Sequence, residues 1–438
     1  MKLPDGLTPK MKPVSPRRSA IVAGLDIGTS KAVCLIARLT PQSPRDVLRR
    51  RSHGVEILGL GHTEARGIKG GAVINLADAE ATVRRAVDLA ERDASVQLES
   101  VVLSVAAGRL GSELYAARVN VSGSTISDGD IARVLAAGCR HSVRDDAVVL
   151  HSLPIGYALD GVHGVAEPRG MLAGEFGVDM HVVTADVAAA RNLMLVVERC
   201  HLSVETMVAA PYVAGLSVLA DDEADIGAAL IDMGAGTTTT AVFSGGRFIH
   251  VDGFALGGNH VTMDLARGLN ARIADAERIK TLYGSVLAGG SDERDMITVS
   301  PVGDDGREPP QFVSRATLMR IIKPRVEEIL EMVRDRLAAS PFAAEPRAHA
   351  ILTGGASQLT GLTELASRIL NRPVRIGRPL GITGLSDAAK GPAFAVAAGL
   401  LVYPQAAHLE HFEPRRTRQL MTGTGYVARV GRWLRESF

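Results

Sequence analysis

Hydrophobic and polar positions change their period repeatedly along the chain. Short apolar runs at 100–106 and 350–352 have the length of buried strands. Elsewhere apolar residues recur at helical spacing, as in 77–92, 188–200 and 314–337. Because strand-like and helix-like segments alternate throughout, the pattern predicts an α/β architecture.

One strand–turn–strand pattern occurs twice. Residues 24–31 read Gly-Leu-Asp-Ile-Gly-Thr-Ser-Lys and residues 231–238 read Ile-Asp-Met-Gly-Ala-Gly-Thr-Thr, each at the end of an apolar run. Glycine lets backbone N–H groups approach phosphate oxygens, and the Ser and Thr hydroxyls add donors. One copy is a weak signal, but two copies predict hairpins that close on a polyphosphate from opposite sides. The predicted contacts are Gly28, Thr29, Ser30, Lys31, Gly234, Gly236, Thr237 and Thr238.

An aspartate precedes each of the two turns. The carboxylates of Asp26 and Asp232 repel phosphate, so direct contact with it is not expected. We expect both to hold Mg²⁺ through its water ligands, since carboxylate oxygens and water are what this ion prefers. Beyond orienting the ion and its water, no catalytic residue is assigned.

A third glycine turn follows a buried strand late in the chain. Without bulky side chains it either lets a purine lie against the backbone or is an ordinary strand-to-helix turn. Glu277 and Lys280 lie three residues apart on one helix face, and either reach the ribose and base or form a solvated ion pair. The candidate adenosine contacts are Gly258, Glu277, Lys280, Gly354, Gly355 and Ala356.

Composition narrows the class of protein. The chain has 438 residues, of which 46% are hydrophobic, as expected for a globular protein of several domains. Its net charge of +1 gives no reason to expect nucleic-acid binding. Three cysteines without metal-ligand spacing fit a reducing cytosol. No stretch has the length of a transmembrane helix, and residues 1–20 predict a disordered basic tail, not a signal peptide.

The C-terminal end predicts a tethered amphipathic helix. Residues 404–425 are polar and glycine-containing, which indicates a linker, and residues 426–438 place one apolar stripe beside basic residues. Such a helix suits the interface of an anionic membrane, although packing on the body or on a partner is the alternative. The predicted membrane contacts are Tyr426, Val430, Arg432, Trp433, Leu434 and Phe438.

The order of these motifs resembles the actin and heat-shock-chaperone ATPase superfamily. Within it the chain most closely resembles the FtsA family of bacterial cell-division proteins. The resemblance is carried by residues 24–31, 66–71, 231–238 and 352–356, and by a short inserted module after residue 108. The hairpin motifs belong to the whole superfamily, whereas the insertion, similar in place and size to the family's 1C subdomain, and the C-terminal tip narrow the resemblance to one family.

The resemblance implies a two-lobed actin-like fold with an inserted α+β subdomain and a C-terminal amphipathic helix. The first lobe (1A) would comprise 21–108, 184–203 and 391–403, with the insertion (1C) at 109–183; the second lobe would comprise 204–256 and 341–390 (2A) with its own insertion at 257–340 (2B).

The same resemblance implies an adaptor more than an enzyme. ATP and Mg²⁺ would lie in the cleft, copies of the chain would form filaments, and later division proteins would bind 1C. The C-terminal peptide of FtsZ would dock on 2B, for which Arg315 and Arg325 are candidate contacts. The protein would then be peripheral on the cytoplasmic face of the inner membrane, at the division site. Ala210 stands where several superfamily members carry Gln or Glu, so at most slow ATP hydrolysis is expected.

Three other functions keep the same fold. A sugar or acetate-type kinase would need a catalytic carboxylate that the sequence does not offer convincingly. The actin-like platform protein of type IV pili would share the nucleotide site but bind a pilus-assembly peptide. A chaperone-type ATPase would need a large substrate-binding domain.

Overall fold

The computed structural model describes residues 8–43, 48, 51–106, 110–121, 125–140, 144–289, 293–300, 311–344 and 348–412. The strands are β1 (Ala20–Ile27), β2 (Lys31–Pro41), β3 (His53–Glu64), β4 (Ile68–Lys69), β5 (Ala72–Val73), β6 (Ser100–Val105), β7 (Gly111–Asn120), β8 (Ala147–Leu159), β9 (Val162–Val165), β10 (Glu175–Asp186), β11 (Ser203–Ala209), β12 (Ala228–Met233), β13 (Thr238–Ser244), β14 (Arg247–Phe254), β15 (Met296–Val299), β16 (Gln311–Ser314), β17 (His349–Thr353), β18 (Val374–Ile376) and β19 (Ile382–Thr383). The helices are α1 (Leu76–Ala94), α2 (Asp128–Gly138), α3 (Val187–Arg199), α4 (Ala210–Val218), α5 (Asp221–Ile226), α6 (Gly258–Gly268), α7 (Ile273–Tyr283), α8 (Arg315–Ala338), α9 (Leu362–Leu370) and α10 (Ala395–Ala406).

Two sheets repeat one strand order. The first lobe has the order β11-β6-β1-β2-β3-β19, and the second lobe has β14-β13-β12-β17-β18. In each, an antiparallel meander begins with the glycine-turn hairpin, β1–β2 or β12–β13. One strand, β6 or β17, pairs parallel to the first strand of that hairpin, and the next, β11 or β18, pairs parallel to it in turn. The predicted α/β architecture and the predicted duplication of the hairpin are therefore confirmed.

The hairpin strands are apolar on both sides because both faces of the sheet are covered. In β2, Cys34 and Ile36 join the core beneath α1 and α3, whereas Val33 and Leu35 pack against Leu401 of α10 on the opposite face. Full burial of each such side chain contributes about 1.5–3 kcal/mol to folding. A continuous apolar run is what a doubly covered strand requires, and it fixes the hairpin firmly beside its turn.

The inserted subdomain has its own sheet, β7-β10-β8-β9, packed against α2. Its helix is capped by Ser127, whose hydroxyl accepts from the N–H of Asp130. Strand β10 pairs with β7 through Thr184 and with β8 through Asp186, so the subdomain's sheet extends past the boundary predicted at 183.

Two predicted lobe boundaries are wrong. The second lobe was expected to begin at 204, but β11 pairs in parallel with β6 and completes the first lobe's sheet. The range 341–390 was also assigned to the second lobe, yet β19 pairs with β3 of the first. Both strands are short segments whose partners lie far away in sequence, so periodicity alone could not assign them to a sheet.

The predicted disordered tail, residues 1–20, is wrong for its described part. Thr8 is fully buried and donates to the carbonyl of Val149 at 3.0 Å, and the N–H of Val14 donates to Pro404 O at 3.3 Å. Burial lowers the pKa of Lys10 to about 8, with Glu410 acting in the opposite direction. Residues 8–19 therefore form an N-terminal strap across the body.

The linker predicted at 404–425 is wrong for residues 404–412, and residues 413–425 lie outside the described residues. Helix α10 continues to Ala406, and the chain remains packed on the body through residue 412. Among the described residues, one stretch, Pro392–Leu409, is long and apolar enough to span a membrane, but most of it is buried like the core helix of a globular protein. The amphipathic helix predicted at 426–438 lies outside the described residues.

Acidification is expected to destabilise the fold through His181. Its Nδ1–H donates to Phe248 O at 2.9 Å and its Nε2 accepts from Ser112 at 2.9 Å, joining β10 to β14. Burial lowers the pKa of His181 to about 3. Below pH about 6.5 this histidine is protonated in the unfolded chain but stays neutral in the folded chain. The free energy of unfolding is therefore lower by roughly 2 kcal/mol at pH 5.

Denaturant titrations at pH values between about 5 and 7.5 measure this effect. His181→Asn retains a donor for Phe248 and cannot titrate, so its stability should vary less with pH than that of the parent. Identical pH slopes for the two proteins would contradict the assignment.

Candidate functional site

The turns of the two hairpins have the same backbone geometry. In the first, the N–H of Gly28 donates to Lys31 O at 2.9 Å; in the second, Gly234 N–H donates to Thr237 O at 2.9 Å. The turns also face one another: a Cβ added to Gly236 would lie 2.5 Å from Oγ1 of Thr29. The two phosphate patterns recognised in the sequence are thus brought into contact across one cleft.

Several backbone donors of these turns have no protein acceptor. In the described ranges, the N–H groups of Thr29, Ser30, Ala235 and Gly236 take part in no hydrogen bond within the chain. Consecutive free N–H groups in a glycine turn form an anion-binding concavity. The cradle therefore fits phosphate oxygens. The hydroxyl of Thr238, a predicted contact, instead donates to Leu256 O at 2.8 Å and is fully buried.

The two aspartates lie at the base of the cleft. Asp26 Oδ1 accepts a 2.7 Å hydrogen bond from Ser104, a residue that the sequence analysis did not select. Burial raises the pKa of Asp26. Burial, together with the charge of Asp26, raises the pKa of Asp232 to about 7, and Lys31 opposes the rise. Two buried carboxylates at the base of one cleft favour a bound cation, and Mg²⁺ would fit them.

Lys31 does not reach freely into the cleft. Its ammonium donates to the carbonyl of Ala393 and lies 4.3 Å from the ring centroid of Phe394. Burial lowers the pKa of Lys31, and the charges of Asp26 and Asp232 raise it. The side chain thus ties the first hairpin to the residues preceding α10 while its charge still acts on both aspartates.

The other glycine motifs line the second lobe's side of the cleft. Gly258 N–H donates to Gly234 O at 2.9 Å, which holds the start of α6 against the second hairpin. A Cβ on Gly258 would lie 3.1 Å from that of Ala356. Gly354 has φ +85°, which favours glycine, and a side chain there would overlap Asp232. A Cβ added at Gly355 would have no neighbouring atom of the described chain within 4 Å.

Glu277 and Lys280 form an ion pair beside this surface. Lys280 Nζ lies 2.6 Å from Glu277 Oε2 and donates to Gly258 O at 3.2 Å. It also donates to the hydroxyl of Thr262 at 2.9 Å, and Thr262 in turn donates to Glu277. The sequence missed Thr262 because a threonine within a helix carries no pattern of its own. Glu277 and Lys280 thus form the ion pair that the sequence offered as one alternative, and this pair lies next to Gly258 at the cleft.

The two candidate arginines for a partner peptide differ in availability. Arg325 is ion-paired with Asp264 at 2.6 Å and also with Glu328, and its side chain is only 26% exposed. Arg315 begins α8 and donates from Nε to Tyr283 O at 3.3 Å. Arg325 is therefore engaged in two ion pairs with carboxylates, whereas the side chain of Arg315 donates to a backbone carbonyl at the end of α7.

Comparisons with known proteins identify the family. A family model described as cell division protein FtsA matches residues 229–399, and a model for the SHS2 domain inserted in FtsA matches residues 107–184. Cell division protein FtsA of Agrobacterium fabrum strain C58 is 51% identical over 437 residues, covering 98% of both chains. The Escherichia coli K12 protein of that name is 33% identical, covering 95% of this chain and 98% of its own.

Solved structures support the fold. A PilM–PilN type IV pilus biogenesis complex superimposes with a TM-score of 0.60 at 18% identity, covering 88% of this chain and 98% of that one. MreB5 of Spiroplasma citri bound to ADP gives 0.54 at 13% identity, covering 90% and 98%. At such identities the likeness concerns the actin-like fold alone. The full-length relatives decide the family, and the chain belongs to the FtsA family of bacterial cell-division proteins.

Proposed function

We propose that the chain is an ATP-binding cell-division adaptor that polymerises at the cytoplasmic membrane and tethers the FtsZ ring to it. The proposal rests on full-length similarity to FtsA relatives, in a fold whose two glycine hairpins meet across one cleft. In this role nucleotide acts as a structural ligand that sets the relation of the two lobes. Recruitment of later division proteins is assigned to the inserted subdomain.

The nucleotide has a defined place in the cleft under this proposal. The free N–H groups of both turns bind the phosphates, and the carboxylates of Asp26 and Asp232 hold Mg²⁺ through water. The ion neutralises charge on the phosphates when bound. Gly354, Gly355 and Ala356 support the adenine, while the pair of Glu277 and Lys280 lies where ribose hydroxyls would reach.

Slow turnover is part of the proposal. The first lobe's strand β11 runs into α4 at Ala209 and Ala210, which are buried and carry no group able to orient a water molecule. We expect tight ATP binding with slow hydrolysis. A turnover comparable to that of a metabolic kinase would contradict this.

An FtsZ peptide would dock on an exposed apolar surface next to Arg315. Met296 and Phe312 share the outward face of the β15–β16 hairpin and are 55% and 64% exposed. Leu282 and Tyr283 at the end of α7 extend the surface, being 62% and 38% exposed. An apolar patch flanked by an arginine suits an acidic peptide with hydrophobic anchors.

Charge reversal separates this placement from a general charge effect. Arg315→Glu should weaken binding of an FtsZ C-terminal peptide by about tenfold, measured by fluorescence anisotropy. Arg334→Glu, at the other end of α8 and 47% exposed, is the matched control. Arg325→Glu should mainly lower stability, since it leaves Asp264 facing a like charge. Equal affinity of the Arg315 variant and the parent would refute the docking surface.

Membrane attachment is tested with two chain lengths. The full chain and a version ending at Thr422 are sedimented with anionic liposomes in Mg²⁺-ATP. We expect pelleting only when residues 423–438 are present, because a short amphipathic helix supplies the apolar and basic contacts and filaments multiply them. Equal pelleting of both versions would remove the membrane anchor from the proposal.

The alternatives are less well supported. The PilM–PilN complex shares the fold at 18% identity, whereas the FtsA relatives match over almost the whole chain. A soluble kinase would need an acid or base at the end of β11, where alanines stand.

A further inference from the structure

A buried polar cluster holds the last described residues of the chain. Residues 407–412 cross the body after α10, and the side chain of Glu410 among them is only 2% exposed. Its Oε1 accepts hydrogen bonds from His151 Nδ1 at 2.7 Å and from the Tyr403 hydroxyl at 2.8 Å. A buried carboxylate is costly unless it is paired, so these partners define a specific seat for the segment. We call residues 407–412 the seated segment.

Other contacts fix the seat from three directions. Lys10 of the N-terminal strap lies 4.1 Å from the ring centroid of Phe412, and its charge acts on Glu410. The N–H of His411 donates to Ser152 O at 2.9 Å in the inserted subdomain. The N-terminal strap, the insertion and α10 therefore converge on one short stretch from which the C-terminal chain departs.

His151 also contacts the edge of the cleft. Its Nε2 lies 2.9 Å from the N–H of Ala209 and accepts from it. This fixes the tautomer, since Nε2 has no proton to give and Nδ1–H must donate to Glu410. The imidazole is fully buried, so bulk solvent cannot supply substitute hydrogen-bond partners. A displacement of either Ala209 or Glu410 therefore breaks a buried hydrogen bond unless the other follows.

Ala209 belongs to the sheet edge that carries the candidate magnesium site. In the ladder of β6 and β11, Val208 pairs with Ser104, and Ala209 pairs with Val105. Ser104 is the residue whose hydroxyl holds Asp26 at 2.7 Å. The hydrogen-bonded path thus runs from Asp26 through Ser104 and the end of β11 to His151 and Glu410.

We propose that His151 is a positioning residue that couples ligand binding in the cleft to docking of the seated segment. The inference rests on the proposed nucleotide site. A ligand that shifts the carboxyl ends of β6 and β11 changes the equilibrium between the docked and released segment through the His151–Glu410 bond. Because coupling is reciprocal, release of the segment changes the ligand's affinity by the same factor. Docking of residues 407–412 on the body would then change with the state of the cleft.

Hydrogen exchange and nucleotide titration on the full-length chain test the coupling. We expect saturating Mg²⁺-ATP to change the exchange rate of residues 407–412 by about fivefold or more in the parent. His151→Leu should abolish this response, and His151→Gln, which can still accept from Ala209 and donate to Glu410, should retain it. His163→Leu, at an exposed histidine of the insertion that pairs with Asp179, is the matched control.

The outcomes separate this inference from the proposed function. ATP that binds tightly without altering exchange at 407–412 would overturn the coupling alone, as would a full response in His151→Leu. Absence of ATP binding to the parent would overturn both. Should the leucine variant not fold, Glu410→Ala breaks the same bond from the segment's side, and it too should abolish the ATP response.

Discussion

Replacing Gly399 by alanine is expected to destabilise the protein by about 3 kcal/mol or more. Glycine within a helix normally costs about 0.5–1 kcal/mol relative to alanine, so helix propensity predicts the opposite sign. At Gly399, however, an added Cβ would overlap the carbonyl of Val213 and lie 3.0 Å from its Cβ. Helices α10 and α4 would have to separate, because a backbone carbonyl cannot rotate away as a flexible side chain can.

Gly129 provides the matched control for this substitution. It lies in the first turn of α2, and a Cβ there would meet only the Ser127 hydroxyl at 3.5 Å, an ordinary contact. Gly129→Ala should therefore leave the denaturant midpoint unchanged or raise it slightly, whereas Gly399→Ala should lower it strongly. Equal midpoints for the two variants would show that α4 and α10 tolerate separation.

Gly236→Ala is expected to weaken ATP binding by roughly tenfold or more. The new methyl would lie 2.5 Å from Oγ1 and 2.9 Å from Cγ2 of Thr29, both on the opposite hairpin. The two turns would be forced apart, and the free N–H groups on each side could no longer contact the same phosphates. The affinity is measured by titration with a fluorescent ATP analogue in Mg²⁺.

A second substitution distinguishes this clash from a general loss of folding. Thr29→Ala removes these two atoms and leaves only the Cβ, at 3.0 Å. The double variant Gly236→Ala with Thr29→Ala should therefore bind ATP more tightly than Gly236→Ala alone. Thr29→Ala by itself should lose some affinity, since the hydroxyl is a predicted phosphate donor. If the double variant binds no better than Gly236→Ala, contact between the hairpins does not limit binding.

Local pattern was enough to predict most of the framework. The duplicated hairpins and the helices predicted at 77–92, 188–200 and 314–337 are all confirmed within a few residues. Each of these elements has strong periodicity or a glycine turn, so its own local sequence is enough to predict it. The contact of the two hairpins followed from their duplication and from the superfamily resemblance.

Features that depend on distant partners could not be read from the sequence. Strands β11 and β19 join the first lobe's sheet through pairing with β6 and β3, which no local pattern reveals. In the site, Ser104 and Thr262 are ordinary polar residues until the fold places them on Asp26 and Lys280. The N-terminal strap was mistaken for a disordered tail because its lysines and prolines dominate its composition, while its burial depends on the far end of the chain.

That strap places the beginning of the described chain beside its end. Lys10 covers Phe412, and Val14 bonds to Pro404. Fusions or deletions ahead of residue 8 and beyond residue 412 would therefore act at neighbouring points of the body. A shortened protein that starts at β1 would lack Lys10, whose ammonium acts on Glu410. Tags for imaging or purification are better inserted in an exposed turn of the inserted subdomain, such as the one at Asp160 and Gly161.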